Sequence, residues 1–342
     1  MAPINIKPLL TELAAGRPLN GDQMREVFDA ILAADATPAQ IGAFLMGLEC
    51  SKIDAAETLI AGASAMRAQM IRLEVPFETM DVCGTGGDGA HSLNISTTTS
   101  FVLAGGGHKV AKHGNRSMSS ICGAADVLEA MGIKLTSNPK IQTKALEDAN
   151  LAFFFAPNYH PKMAYVGPLR RELGFGTAFN IMGPLCNPVG AQRQLIGVYR
   201  PELLHAVAQA LAKLGSKSCW VIHGDGGIDE AILHGETQIV AYNGKDFKEF
   251  SISPQIAGLK DAPLQDLKGG DASFNANALM NLLKGEKSPY RDAVLLNASC
   301  ALVMAGLADD LRQGVEIGEA IIDTGCAMNS YETLKSITNE AI

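Results

Sequence analysis

The sequence predicts an α/β protein with a mostly parallel central sheet flanked by helices, plus a small all-helical domain. Three observations predict it. Residues 1–70 read as helices without a strand. From about residue 76 short β-rich runs alternate with helical stretches. Gly- and hydroxyl-rich turns lie between strand and helix, the pattern of a parallel sheet covered on its faces. At 342 residues the chain has room for one large domain or two smaller ones.

In chain order, Thr37-Pro38-Ala39-Gln40 reads as a helix start, with a Thr cap, Pro at the first helical position and Gln completing a capping box. Behind it Ile41, Phe44, Leu45 and Leu48 form one apolar stripe. Residues 22–34 and 55–71 repeat the pattern, with Met24, Val27, Phe28 and Ile31, and then Leu59, Ile60, Ala63 and Met66. Such faces must bury on each other or on a partner, so a helical domain and a dimer contact are expected.

The β-rich runs are Met80–Cys83, His108–Ala111, Leu151–Ala156, Leu195–Tyr199, Cys219–His223 and Ile239–Tyr242. Helices are expected between them at 97–104, 119–131, 139–149 and 201–214, two of them opened by Asn138-Pro139 and Arg200-Pro201. Residues 157–190 interrupt the alternation with Pro157, Pro161, Pro168, Pro184 and Pro188. There the chain is expected to cross to the helical layer and back. The last seventy residues read as helices at 273–284, 289–306 and 309–327.

A net charge of −8 argues against a broad nucleic-acid surface, although Lys109, Lys112, His113 and Arg116 supply a local basic pocket. Seven cysteines without a Cys-x-x-Cys pair read as reduced thiols in a cytoplasmic protein. Residues 1–20 carry no charged-then-apolar leader, and no apolar run reaches the roughly 18 residues of a membrane span. Neither a membrane nor a nucleic acid is expected as a partner.

Three clusters carry chemistry: Asp81–Gly89, Asn94–Ser100 and Lys112–Ser120. Together they hold glycines, hydroxyls, a lysine, an arginine and the carboxylate of Asp88, the residue types that wrap a polyphosphate. Gly84–Gly89 contains G-x-G-x-x-G, but no helix opens at the third glycine. The next strand also ends in Lys112-His113 instead of an acid, so a dinucleotide fold is rejected. A P-loop fails for want of Gly-Lys-Ser/Thr. Ser96 at a helix start reads as a cap that also suits a pyrophosphate-bound Mg²⁺. The adjacent carboxylates Asp229 and Glu230, after a Gly-rich turn, read as a second Mg²⁺ site. Arg170 or Arg171 is placed to hold a carboxylate in two parallel bonds; the residues alone leave the choice open. His160, His205 and His234 show no ligand spacing and read as packed or surface residues.

The chain resembles the anthranilate phosphoribosyltransferases in Gly84-Thr85-Gly86-Gly87-Asp88, Asn94-Ile95-Ser96-Thr97, Lys112-His113-Gly114-Asn115-Arg116-Ser117 and Ala125-Asp126-Val127-Leu128-Glu129. The likeness continues through Phe179-Asn180, Gly183-Pro184-Leu185, Asn187-Pro188, His223-Gly224 and Asp229-Glu230, in the family's order over nearly the whole chain. The resemblance implies a homodimer formed through the helical part. Residues 1–73 with 162–189 would form the helical domain, and 74–161 with 190–342 the α/β domain.

It further implies that phosphoribosyl pyrophosphate is held by Gly84, Gly87, Asp88, Ser92, Asn94, Ile95, Ser96, Thr97, Lys112, His113, Gly114, Asn115, Arg116, Ser117, Met118, Ser119, Ser120 and Ala124. Gly84, Asn115 and Arg170 would contact anthranilate, which decides between the two arginines. Ser96, Asp229 and Glu230 would hold magnesium, as two ions. Four positions depart from the family's pattern: Ala124 stands for a usual serine, Gly176 for an arginine, and Tyr159 and Ala164 for His and Lys. A pyrimidine nucleoside phosphorylase shares the two-domain plan but would use free phosphate. A nucleic-acid-binding paralogue would need a basic cleft and no acidic metal ligands, and a purely structural helical dimer leaves residues 84–120 unexplained. The chemistry implied is displacement at an anomeric carbon by a neutral amine, for which no obligatory nucleophile or acid–base triad is expected.

Overall fold

In the computed structural model, residues 4–50, 55–117 and 121–340 are described. Seven strands form one sheet: β1 (Met80–Gly84), β2 (Val110–Gly114), β3 (Leu151–Phe155), β4 (Arg193–Gly197), β5 (Ser218–Gly224), β6 (Thr237–Tyr242) and β7 (Phe247–Ile252). Their order is β3-β2-β1-β4-β5-β6-β7, with β1 to β5 parallel and the last two antiparallel. The chain moves outward from β1 to β3 and then returns to β1's other side as β4. The β1/β4 boundary is therefore the topological switch point, where α/β sheets bind ligands beyond their carboxyl ends.

The six expected strands are present, with ends displaced by up to three residues. The seventh, β7, was not expected. Its alternation puts mostly exposed residues on a sheet edge, so it carries little apolar signal, yet Asn243-Gly244 before it is a hairpin turn. The Asn243 side chain accepts from the Lys245 and Asp246 amides, and Gly244 supplies φ +94. The expected single helix 309–327 is two, Leu311–Asp323 and Cys326–Asn339, because Gly325 turns the chain at φ +78.

The N-terminal part is helical as expected, with helices Lys7–Ala14, Gly21–Leu32, Pro38–Cys50 and Ala55–Gln69. The capping box before Pro38 forms: Gln40 N donates to Thr37 Oγ1 at 3.3 Å and Thr37 N to Gln40 Oε1 at 2.8 Å. The segment 157–190 folds onto these helices as Met163–Leu173 and Ala178–Met182. Phe179 from that segment meets Phe28 edge-on, with centroids 5.7 Å apart, inside the helical core. The same core continues across Leu203–Lys213 to one face of β4 and β5, through Ile196, Val198 and Val221. The other face of the sheet packs on Ile95–Gly105 and the C-terminal helices around Phe101, Leu295 and Tyr331. Asn187 pins the returning segment to the sheet, its amide donating to Asp81 Oδ2 at 2.8 Å and to the Ala111 carbonyl at 2.7 Å. No helix among the described residues is long and apolar enough to cross a membrane.

Candidate active site at the sheet switch point

A cavity of about 600 Å³ opens beyond the carboxyl ends of β1, β2 and β3, between the sheet and the 157–184 segment. The three sequence clusters meet in it: Gly84 to Asp88, Ser92 to Thr97, and Lys112 to Ser117 all border it, as do Asp229, Glu230 and Ala124. Met118, Ser119 and Ser120 lie outside the described residues.

The glycine turn after β1 is built from three positive-φ residues, Gly86, Gly87 and Gly89, a path that L side chains rarely follow. Gly86 N donates to Asp229 Oδ2 at 2.6 Å. Asp88 Oδ1 accepts from Ala90 N at 3.2 Å, which steadies the outgoing limb. Asp229 is 8 % exposed, and burial pushes its carboxyl well above the usual range; the facing charges of Asp88 and Glu230 add to the rise. Burial likewise lifts Glu230 to about 7, against the pull of Lys112. These acids crowd one another with a single buried lysine beneath them, an arrangement that a divalent cation relieves.

The helix Ile95–Gly105 starts beside this pair. Its cap position is Asn94 and not Ser96, and Asn94 makes no side-chain cap bond. The Asn94 amide instead knots neighbouring segments, donating to the Cys122 carbonyl at 3.4 Å and accepting from Asn275 at 2.9 Å. Ser96 N donates to Glu230 Oε1 at 3.3 Å, and Ser96 Oγ accepts from Lys112 Nζ at 3.3 Å. Ile95 and Thr97 also border the cavity, and both are buried. Lys112 is 2 % exposed and also donates to the Val82 carbonyl at 2.7 Å, which fixes its charge under the floor.

Arg116 borders the cavity but is already engaged, 2.7 Å from both Asp126 and Glu129. On the opposite wall both arginines border the space. Arg170 donates to Asn180 Oδ1 at 2.9 Å and lies 5.8 Å from the Phe179 ring centre, and burial holds its pKa below the ordinary arginine value. Its Nε is buried without a hydrogen-bond partner among the described residues, whereas Arg171 is exposed.

His160, read from the sequence as a packed or surface histidine, is packed but also borders the cavity. It lies beyond the end of β3 and stacks at 5.1 Å from His113; Tyr159 beside it is buried against Phe154. Its place after a strand's carboxyl end was the available signal. Burial lowers His113 to about 3, with His160 adding to the effect, and burial lowers His160 to about 4, so both rings are neutral near pH 7. His113 Nδ1 donates to the Gly183 carbonyl at 3.1 Å, which leaves Nε2 as a buried acceptor without a partner among the described residues. Ala124 borders the cavity with a methyl group only, while a Cβ at Gly176, outside it, would meet the Tyr199 hydroxyl at 3.4 Å.

Glycine turns, a buried acid pair and a helix start at a switch point, facing a cationic wall, define a transferase for a phosphorylated sugar. Residues 7–70 match the helical bundle domain of the glycosyl transferase family, and residues 77–328 its a/b domain. The chain belongs to that family, and within it to the anthranilate phosphoribosyltransferases. It is 48 % identical over 332 residues to the anthranilate phosphoribosyltransferase of Phenylobacterium zucineum, covering 97 % of this chain and 98 % of that one. The crystal structure of the Thermus thermophilus enzyme superposes with a TM-score of 0.90 at 38 % identity, over 97 % of this chain and 99 % of the other. The Saccharomyces cerevisiae enzyme in complex with phosphoribosyl pyrophosphate and Mg gives 0.89 at 26 % identity, over 97 % of each chain. With 4-fluoroanthranilate bound, the same yeast enzyme gives 0.88 at 25 % identity, over 98 % of this chain and 99 % of the other.

Proposed function

We propose that this chain transfers the 5-phosphoribosyl group of phosphoribosyl pyrophosphate to the amine of anthranilate, giving N-(5-phosphoribosyl)anthranilate and pyrophosphate in tryptophan biosynthesis. The carrying observation is the meeting of three phosphate-type turns and one acid pair in a single cavity whose far wall holds Arg170. The donor is held by Gly84, Gly87, Asp88, Ser92, Asn94 to Thr97, Lys112 to Ser120 and Ala124. Anthranilate lies against Gly84, Asn115 and Arg170, its carboxylate facing the guanidinium.

The donor set suits Mg²⁺. Among the described residues no three His, Cys, Asp or Glu side chains form a ready-made cage. Magnesium is usually held by one or two carboxylates together with substrate phosphates, so Ser96, Asp229 and Glu230 with the pyrophosphate make a fitting set. We assign two ions to it. When bound, Mg²⁺ supplies positive charge to the departing pyrophosphate.

This chain's residues do the remaining work. Backbone donors of the glycine turn and the helix start are fixed before the donor arrives, so they hold developing charge without reorganising. The amine of anthranilate is neutral at pH 7 and attacks without prior loss of a proton. Arg170 and the neutral His113 and His160 border the cavity it crosses, and the proton is shed after the attack. Alignment across the cleft contributes up to about 7–11 kcal/mol to such a reaction.

Residues 1–73 with 162–189 form the helical unit in this reading, supported by the core that Phe28 and Phe179 share. Helix Pro38–Cys50 buries only Ile41, Phe44 and Leu45 and leaves Met46 exposed, which supports a homodimer through that layer. Seven free cysteines support a reducing cytoplasmic location. The deciding experiment follows loss of anthranilate fluorescence with phosphoribosyl pyrophosphate and Mg²⁺. No loss with this pair, alongside phosphorolysis of a pyrimidine nucleoside, would replace the assignment.

A further inference from the structure

Asp126 does not border the cavity, yet it ties together three residues that do, Arg116, Ser117 and Gly123. The chain leaves β2 at Gly114 and enters the helix Ala124–Ala130 after Gly123. One carboxylate oxygen, Asp126 Oδ2, accepts from Gly123 N at 2.9 Å and from Ser117 N at 3.3 Å. The other, Oδ1, accepts from Arg116 Nη1 at 2.7 Å. Both limbs of the loop and its cation thus converge on a single side chain.

The backbone is shaped for that closure. A Cβ on Gly123 would come within 2.7 Å of the Arg116 carbonyl carbon and 3.0 Å of its Cα, so only glycine lets the limbs approach. Ala125 N donates to the Asn115 carbonyl at 3.2 Å and repeats the link one residue further out. Burial raises the Asp126 carboxyl, but the bonds from Gly123 N, Arg116 and Ser117 N outweigh it and hold the group below its ordinary value. It is a permanent anion inside a turn that must present donors to an anionic ligand. Its charge is consumed by groups on the loop itself.

We propose that Asp126 is a positioning residue for the donor: by tying Arg116, Ser117 and Gly123 together it sets these three cavity-bordering residues toward the pyrophosphate. The inference rests on the functional reading above. A plain helix-cap role would lower thermal stability without favouring either substrate.

The test uses the full chain with Asp126→Asn, measuring phosphoribosyl pyrophosphate binding by calorimetry, both KM values, kcat and Tm. We expect KM and Kd for the donor to rise about tenfold, with KM for anthranilate changed less than twofold. Glu129→Gln, which leaves the Asp126 bonds in place, should stay near wild type. Gly123→Ala forces the limbs apart with the carboxylate intact, and should also raise the donor KM. Wild-type donor affinity in Asp126→Asn overturns the proposal, as does a lower Tm with both KM values unchanged. Should Asp126→Asn fail to fold, unaltered donor affinity in Gly123→Ala overturns it. A wild-type chain that binds no donor removes the functional reading itself, a different outcome from binding preserved in both proteins.

Discussion

A methyl group at Gly84 would lie 2.6 Å from the carboxyl carbon of Asp229. Gly84 ends β1 and is the register partner of Gly197 at the end of β4; a Cβ there would in turn lie 3.0 Å from Asp229 Cα. Two missing side chains on neighbouring strands therefore make the slot in which the metal-side acid rests. Gly84→Ala should displace Asp229, lowering stability by about 1–3 kcal/mol through overpacking and turnover by at least about tenfold, on the order of 1.4 kcal/mol of barrier. Wild-type turnover in a folded variant would show that the acid's position is not critical.

Arg170→Ala should raise the apparent KM for anthranilate on the order of tenfold or more, since a charge-assisted bond contributes about 1.5–3 kcal/mol. The KM for phosphoribosyl pyrophosphate should move far less. Steady-state kinetics with each substrate varied decide this. Equal effects on both would remove Arg170 as the carboxylate partner, and Arg171→Ala serves as the exposed comparison.

Asp229→Asn with Glu230→Gln should shift the Mg²⁺ activation curve to higher concentration. The isolated protein should lose its crowded acids and become no less stable without metal, because uncompensated burial of the pair is relieved. An unaltered Mg²⁺ titration would take both residues out of the metal site.

The buried ionisable groups make opposite, separable contributions to pH dependence. His160 falls from 6.5 in the unfolded chain to about 4 when folded. The unfolded state therefore binds more protons between these values, and the stability is full above pH 6.5 and lost as pH falls toward 4. Asp81 rises from 3.8 to about 6 through burial, so its contribution is full below pH 3.8 and lost as pH rises through 6. Relative to wild type, His160→Asn should gain as pH falls from 6.5 to 4 and Asp81→Asn should gain as pH rises from 4 to 6. The slope is at most about 1.4 kcal/mol per pH unit for each group. Urea midpoints across this range measure both, and parallel curves would contradict the assignment.

Strand–helix alternation made most of the sheet legible, because buried parallel strands such as Leu151–Phe155 are written as continuous apolar runs. It failed where burial is one-sided, as in Phe247–Ile252, and where a lone Gly325 splits a long amphipathic stretch. The phosphate side of the site was readable for a related reason: backbone-donor turns need glycine and hydroxyl residues in a row. What distant segments do to one another was not readable. Ser96 was legible as a helix-start hydroxyl, but its contacts with Glu230 and Lys112 depend on segments 134 and 16 residues away. Likewise Arg116, read as part of a local basic pocket, is paired with Asp126 and Glu129.

Phe179 is locked edge-on to Phe28 in the helical core, and Arg170 leans on its ring. The arginine proposed for the aromatic acid is thus suspended from one body of packed side chains, while most groups proposed for the sugar hang from the sheet. In that reading the carboxylate contact and most of the donor's cradle are held by different packing, with Gly84 and Asn115 at the seam between them. On that assignment, repacking around Phe28 would shift Arg170 while leaving the glycine turn after β1 in place, a route to altered acceptor choice that begins outside the cavity.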